Sequence, residues 1–282
     1  MTLRSTQLIS LVPPVETVSS VDLVWEILVA EARAVVERDP ALDEAMLHNI
    51  FNHSSLGESL AHRLSRRLGN YEVGEERLRA LFREAFDSDA TILPSMSADL
   101  LAVRDRDPST REILTPFLYF KGFLALQGHR LAHWLWSRER GHMARHLQSR
   151  AAEVLSIDIH PAARMGRGIM LDHGNGLVIG ETSVVEDDVS ILQDVTLGGT
   201  GKESGDRHPK IRRGALIGAG AKILGNIEIG VGSKVGAGSV VVTSVAAHTS
   251  VAGVPARPVG RPKSDLPGVS MEDTIGAPDY TI

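Results

Sequence analysis

Stepping by six along the second half of the chain from Ile159 visits Met165, Leu171, Leu177, Ser183, Val189 and Val195. A second run visits Ile211, Ile217, Ile223, Ile229, Val235 and Val241. Only Ser183 is not aliphatic, and self-similarity at a short fixed period marks a solenoid whose coils stack one position on its equivalent in the next. Glycine follows directly at Gly166, Gly218, Gly230 and Gly236, where a turn asks for a residue that tolerates unusual backbone angles. The second run begins 16 residues after Val195, so ten residues, GKESGDRHPK at 201–210, interrupt the phase. A polar excursion from a rigid coil suits a binding loop, and its Arg207-His208 pair favours that over a tolerated surface insertion.

Up to about residue 156 the period is helical instead. Val24, Ile27, Leu28 and Val35 form an apolar stripe broken only by Glu31. Ser20 can cap this first helix and Asp39-Pro40 can end it, since proline disfavours helical geometry in the residue before it. Further helices are expected at 41–51, 55–68, 75–86, 97–104, 116–138 and 141–154, with Gly69-Asn70 as a helix stop. The chain divides into a helical domain at 1–156, a solenoid at 157–260 and a flexible tail at 261–282 that is rich in proline and glycine.

Composition narrows the function classes. A net charge of −5, with Lys and Arg scattered among Asp and Glu, leaves no basic field for a nucleic-acid backbone. The absence of cysteine excludes disulfides, thiolate metal sites and a cysteine nucleophile. MTLRSTQLISLVPPV lacks the apolar core of a signal peptide, and TPFLYFKGFLALQG is cut by Lys121 and too short to span a bilayer. No membrane partner and a cytoplasmic location are expected.

The hexad pattern resembles that of the left-handed parallel β-helix family, in which three hexads make one triangular coil; the expected fold is α+β, helices followed by that solenoid. The left-handed winding comes from the resemblance, because ordinary crossover rules give the opposite hand. More specific are VRDRDP (103–108), DIHPAA (158–163), GRGIMLDHGNG (166–176), VSILQDVTLGGTG (189–201), GDRHPKI (205–211), IGAGAKILGNIEIG (217–230) and AGVPARPVG (252–260). These stretches resemble those of serine O-acetyltransferases, within the hexapeptide-repeat acyltransferases. The resemblance implies transfer of acetyl from acetyl-CoA to the hydroxyl of L-serine, giving O-acetyl-L-serine and CoA, the first step of cysteine biosynthesis.

The residues can be weighed against that chemistry. A serine hydroxyl is a poor nucleophile, so attack on a thioester needs a base with a pKa near 7. His173, at a corner between Asp172 and Gly174, is the candidate. A carboxylate behind it would fix its tautomer, and Asp158, fifteen residues earlier, can lie close on the preceding coil. The family's catalytic His–Asp pair maps onto these two, and His160 reads as structural. With no cysteine to carry an acyl group, direct attack in a ternary complex is expected rather than a ping-pong route. Gly198 and Gly199 offer backbone N–H groups to the thioester oxyanion, or serve simply as turn residues. Arg207 is a planar fork suited to the serine carboxylate, with His208 beside it. Asp172 and Asp107 resemble the family's acidic residues facing the amino group, although Asp107 could merely end a helix before Pro108.

The resemblance implies partners as well. Acetyl-CoA would lie in the groove between neighbouring solenoids of a homotrimer, with Ala219 and Lys234 on its pantetheine arm and phosphates, unless these two are solvated coil surface. The helical domain would pair trimers into a hexamer, and L-cysteine would act as feedback inhibitor. The terminal Ile282 would dock in O-acetylserine sulfhydrylase, as an apolar anchor bearing a carboxylate can. No metal is expected: His129 and His133 share a helix face, but GHRLAHWLW lacks the glutamate of HExxH and is an amphipathic packing pattern. Three alternatives stay open: another hexapeptide acyltransferase acting on a sugar, a nucleotide sugar or an amine; a γ-type carbonic anhydrase; and a non-catalytic scaffold for the sulfhydrylase.

Overall fold

The computed structural model describes residues 20–201 and 204–272. Its helical domain comprises α1 Ser20–Arg38, α2 Asp43–Met46, α3 Leu56–Leu68, α4 Glu75–Ser88, α5 Ile92–Arg106, α6 Leu114–Tyr119, α7 Lys121–Trp136 and α8 Gly141–Leu155. Their apolar stripes meet in one core, where Leu28, Leu60, Leu64, Phe82, Leu100 and Phe117 are fully buried; burial of each such side chain contributes about 1.5–3 kcal/mol. Three elements differ from the expected helices. The one anticipated at 41–51 is α-helical only over Asp43–Met46, between a 3-10 turn at Pro40–Leu42 and a π-helical turn at Leu47–Phe51. The one anticipated at 97–104 begins at Ile92, because Pro94 falls in the first turn, where an N–H has no intrahelical acceptor to lose. The one anticipated at 116–138 is two helices, since Phe120 at φ −84°, ψ 111° leaves the helical region between α6 and α7.

From Ile157 the chain winds as a parallel solenoid with three faces. One face stacks β1 Ile157–Ile159, β4 Leu177–Ile179, β7 Thr196–Gly198, β10 Lys222–Leu224 and β13 Val240–Val241. The next stacks β2 Arg164–Met165, β5 Val184–Val185, β8 Lys210–Ile211 and β11 Glu228–Ile229. The third stacks β3 Met170–Leu171, β6 Ser190–Ile191, β9 Leu216–Ile217, β12 Lys234–Val235 and β14 Ser250–Gly253, and closes with the antiparallel β15 Ala256–Gly260.

Pairing shows that the six-residue phase slips twice rather than once. Ile159 stacks on Ile179, 20 residues on, whereas Ile179 stacks on Leu197 after 18 and Leu197 on Ile223 after 26. Relative to an 18-residue coil, two extra residues sit between Leu171 and Ile179, and eight more lie in the loop before Ile211. The expected single ten-residue break divides in this way because residues two apart on a strand face the same way. Leu177, Ser183, Val189 and Val195 are buried, and so are Ile179, Val185, Ile191 and Leu197. A step of six passes from one inward row to the other without leaving the core.

The two domains are joined by buried polar contacts. Asp99 of α5 is fully buried; it accepts from Arg130 Nε at 3.0 Å, Gln127 Nε2 at 3.2 Å and the Ile169 backbone N–H at 3.0 Å. Arg130 in turn donates to Gly166 O at 2.8 Å, so one ion pair ties α5 and α7 to the first coil. The segment after Gly260 was expected to be free, yet its described part folds back onto the coil. In α9, Pro267–Ser270, Gly268 N donates to Gly214 O at 2.8 Å and Gly268 O accepts from Ser190 Oγ at 2.6 Å. The remaining tail, 273–282 with Ile282, lies outside the described residues. No described helix is long and apolar enough to cross a membrane.

Candidate active site

The two extra residues of the first coil form the turn that carries His173. His173 adopts φ 53° and Gly174 φ 72°, the left-handed region that histidine enters at modest cost and glycine freely. The turn rests on β1: Gly176 N donates to Ser156 O at 2.9 Å, and a Cβ on Gly174 would stand 2.5 Å from Ile157 Cδ1. His173 therefore sits beside the strand that carries Asp158. Its side chain is 71% exposed, and its Nε2 lies 3.8 Å from Asp172 Oδ1. Asp158 accepts from Gln148 Nε2 at 2.7 Å, so a side chain of α8 fixes its carboxylate.

Asp172 is only 23% exposed. Burial pushes its carboxyl above the usual range, and the like charge of Asp107 adds to this, while His173 opposes it. Asp107, at the end of α5, thus contributes charge to the same spot, and its Oδ1 also accepts from Ser109 N at 2.8 Å. Of the two roles weighed for Asp107 from sequence, the helix end is seen directly, and its charge also reaches Asp172. Two carboxylates and an imidazole around one turn form a cation-seeking patch with a base at its rim.

The second slip, the excursion before Ile211, returns to the corner at 180–182. Arg207 Nη2 pairs with Glu181 Oε2 at 2.7 Å, and the N–H groups of Arg207 and His208 donate to Thr182 Oγ1 at 3.0 and 3.1 Å. His208 is buried, its Nδ1 2.9 Å from Thr182 Oγ1, and burial draws its pKa down, with the neighbouring Arg207 adding to this. Gly180 is required here, because a Cβ would stand 2.1 Å from His208 Nε2. Gly199 faces the same ring, its Cβ position 3.2 Å from that Nε2, whereas Gly198 lies against Leu224 and accepts from Gly225 N.

Other expected residues lie elsewhere in the chain. Ala219 is a half-buried corner whose carbonyl accepts from Gly238 N at 2.7 Å. Lys234 is 2% exposed within β12 rather than solvated. His160 caps its own turn, its Nδ1 accepting from Ala162 N at 3.1 Å, and its ring meets Trp136 edge-on at 5.2 Å. His129 and His133 pack 5.9 Å apart, with His133 Nδ1 on Pro161 O. Among the described residues no three His, Asp or Glu side chains converge as a metal set would.

Four contributors escaped the sequence reading: Gln148, Gly180, Glu181 and Gly122. Gly122 opens α7 against β3, where a Cβ would fall 2.0 Å from Leu171 O. Beside it, Lys121 Nζ donates to Asn175 Oδ1, so the helical domain touches the His173 turn directly. A glycine in the first turn of an apolar helix was the one available signal for such a close approach.

Comparison with known proteins shows the family. The family model described as serine acetyltransferase, N-terminal, matches residues 24–128. The serine acetyltransferase of Salmonella typhimurium is 50% identical over 260 residues, 92% of this chain and 95% of the relative. Three solved structures superpose on most of the chain. A serine acetyltransferase in complex with cysteine gives a TM-score of 0.87 at 47% identity, covering 89% of this chain and 98% of that one. The Brucella abortus serine acetyltransferase in complex with coenzyme A gives 0.84 at 52%, covering 86% and 96%. Soybean serine acetyltransferase complexed with serine gives 0.83 at 50%, covering 86% and 99%. A helical domain seated on a hexad solenoid, with these relatives, defines an acyltransferase. Within that class, the chain belongs to the serine acetyltransferase family.

Proposed function

We propose that the chain transfers the acetyl group of acetyl-CoA to the hydroxyl of L-serine, with His173 as general base and Asp158 orienting it. The observation that carries this reading is the two-residue slip that projects His173 from the coil between a pair of carboxylates and the strand of Asp158. Asp172 and Asp107 offer charge to the substrate ammonium, and Arg207, steered by Glu181, offers a fork to its carboxylate. As the hydroxyl attacks the thioester, His173 takes its proton and returns it to the leaving thiolate, so no acyl-enzyme forms. The backbone N–H groups of Gly198 and Gly199 are offered as donors to the tetrahedral oxyanion.

The complexes of the relatives with serine and coenzyme A support these two substrates. The complex with cysteine supports an inhibitor that shares serine's ammonium and carboxylate and takes the same contacts. The exposure of His173 fits a site completed by a neighbouring chain of a homotrimer, with Ala219 and Lys234 on the co-substrate and helical domains pairing trimers into a hexamer. Cytoplasmic location, a place in cysteine biosynthesis and docking of Ile282 in the sulfhydrylase belong to the same reading. Initial rates of CoA release with both substrates varied test it. Serine-dependent release with intersecting reciprocal plots is the expected outcome; parallel plots or no dependence on serine would overturn it.

A further inference from the structure

The reading above leaves unused a recess between α3 and the joint of α6 and α7. It is a cavity of about 530 Å³ whose wall includes Arg63, Arg66, Arg67, Lys121 and Tyr119, with no carboxylate among the described residues that line it. Arg63 forms its floor. Nε donates to Phe117 O at 3.1 Å, Nη1 to Asn49 Oδ1 at 2.6 Å and Nη2 to Leu118 O. These neutral acceptors fix the guanidinium without cancelling its charge. Burial draws Arg63 down to about 10, and the charges of Arg67 and Arg66 add to this. Arg66 and Arg67 are exposed and make no ion pair among the described residues.

Four like charges gathered in one concavity repel one another, and an anion relieves that repulsion. Guanidinium forks match a tetrahedral oxyanion in geometry as well as charge, and the exposed Tyr119 adds a phenol donor. We propose that this recess binds a small tetrahedral oxyanion of the phosphate or sulfate type, at a site separate from those of serine and acetyl-CoA. Lys121 links it to the chemistry. Its ammonium reaches Asn175, two residues past His173, so an anion engaging Lys121 competes with Asn175 for that ammonium.

Titration calorimetry with inorganic phosphate, then sulfate, on the full-length protein at ionic strength held constant with chloride tests this. Saturable binding of both is expected, weakened at least about tenfold, a loss of one charge-assisted contact, in Arg66→Ala/Arg67→Ala. Arg66→Lys/Arg67→Lys should keep most of the affinity. Both variants should keep wild-type circular dichroism and CoA release, because neither residue belongs to the catalytic site. CoA titrated into phosphate-saturated protein separates the free anion from the co-substrate's own phosphates, and independent binding is expected. The proposal is overturned by heats no larger than those with chloride, by undiminished binding in the alanine variant, or by displacement of phosphate by CoA.

Discussion

Gly122 and Leu171 meet where the helical domain lands on the solenoid, so closely that a Cβ on Gly122 would stand 2.0 Å from Leu171 O and 3.1 Å from Leu171 Cβ. Gly174 shares the contact, its own Cβ position 3.5 Å from Gly122 Cα. Gly122→Ala must therefore push α7 away beside the His173 turn. The expected cost is about 1–3 kcal/mol, as for other overpacked contacts, with kcat falling roughly tenfold or more as the site is displaced. Thermal unfolding and steady-state kinetics check both; a variant with wild-type melting temperature and kcat would show that α7 is free to adjust.

Gly180 provides the matching test on the opposite side of the site. Its alanine variant displaces the His208 ring, and with it the Thr182 contact that returns Arg207 to Glu181. KM for serine should rise about tenfold or more, corresponding to roughly 1.4 kcal/mol of lost binding, while KM for acetyl-CoA changes little. Equal changes in both would place the 201–210 loop on the co-substrate instead.

Asp99 should govern how firmly the two domains hold together. Asp99→Ala removes the carboxylate that the Arg130 guanidinium and the Ile169 N–H share, leaving Arg130 only Gly166 O. Loss of one partner of a buried pair costs about 3–5 kcal/mol, which urea unfolding would register as a lower midpoint. An unchanged midpoint would mean that water replaces the carboxylate.

Acid should destabilise the fold through His129. It is 5% exposed, and burial drives its pKa from 6.5 down to about 3, with His133 and Arg130 adding to the effect. The folded chain holds the ring neutral while the unfolded chain protonates it. Its contribution is therefore complete above pH 6.5 and is lost as pH falls toward 3, at up to about 1.4 kcal/mol per pH unit. Urea midpoints at several pH values should show a shallower acid limb for His129→Gln than for the wild type. Equal slopes would assign the acid lability elsewhere.

The solenoid was legible because its core repeats at a fixed period, and the helical domain because its stripes are long. The register was not, since both inward rows of a coil are aliphatic, as Leu177 and Ile179 show. The slip at His173 was thereby hidden inside an apparently unbroken run. His173, Asp172 and Asp107 could be named from local sequence, and the structure brings their charges together. Gln148 and Glu181 could not, because each acts through a residue elsewhere in the chain, Asp158 and Arg207, and Gly122 left only the signal of a glycine in an apolar helix, with nothing to point to Leu171. The tail from 261 to 282 read as flexible, yet Gly268 packs its described part onto Ala215 through backbone contacts that no side-chain pattern records.

The central claim is that His173 removes the serine proton. CoA release from acetyl-CoA and L-serine, compared between the wild type and His173→Ala, tests it most directly. The account predicts serine-dependent release that falls by about 10²–10⁴-fold in the variant, the usual contribution of a positioned base, with thermal stability retained because the side chain is exposed. Undiminished release in a folded variant would contradict it and return the role of base to another residue.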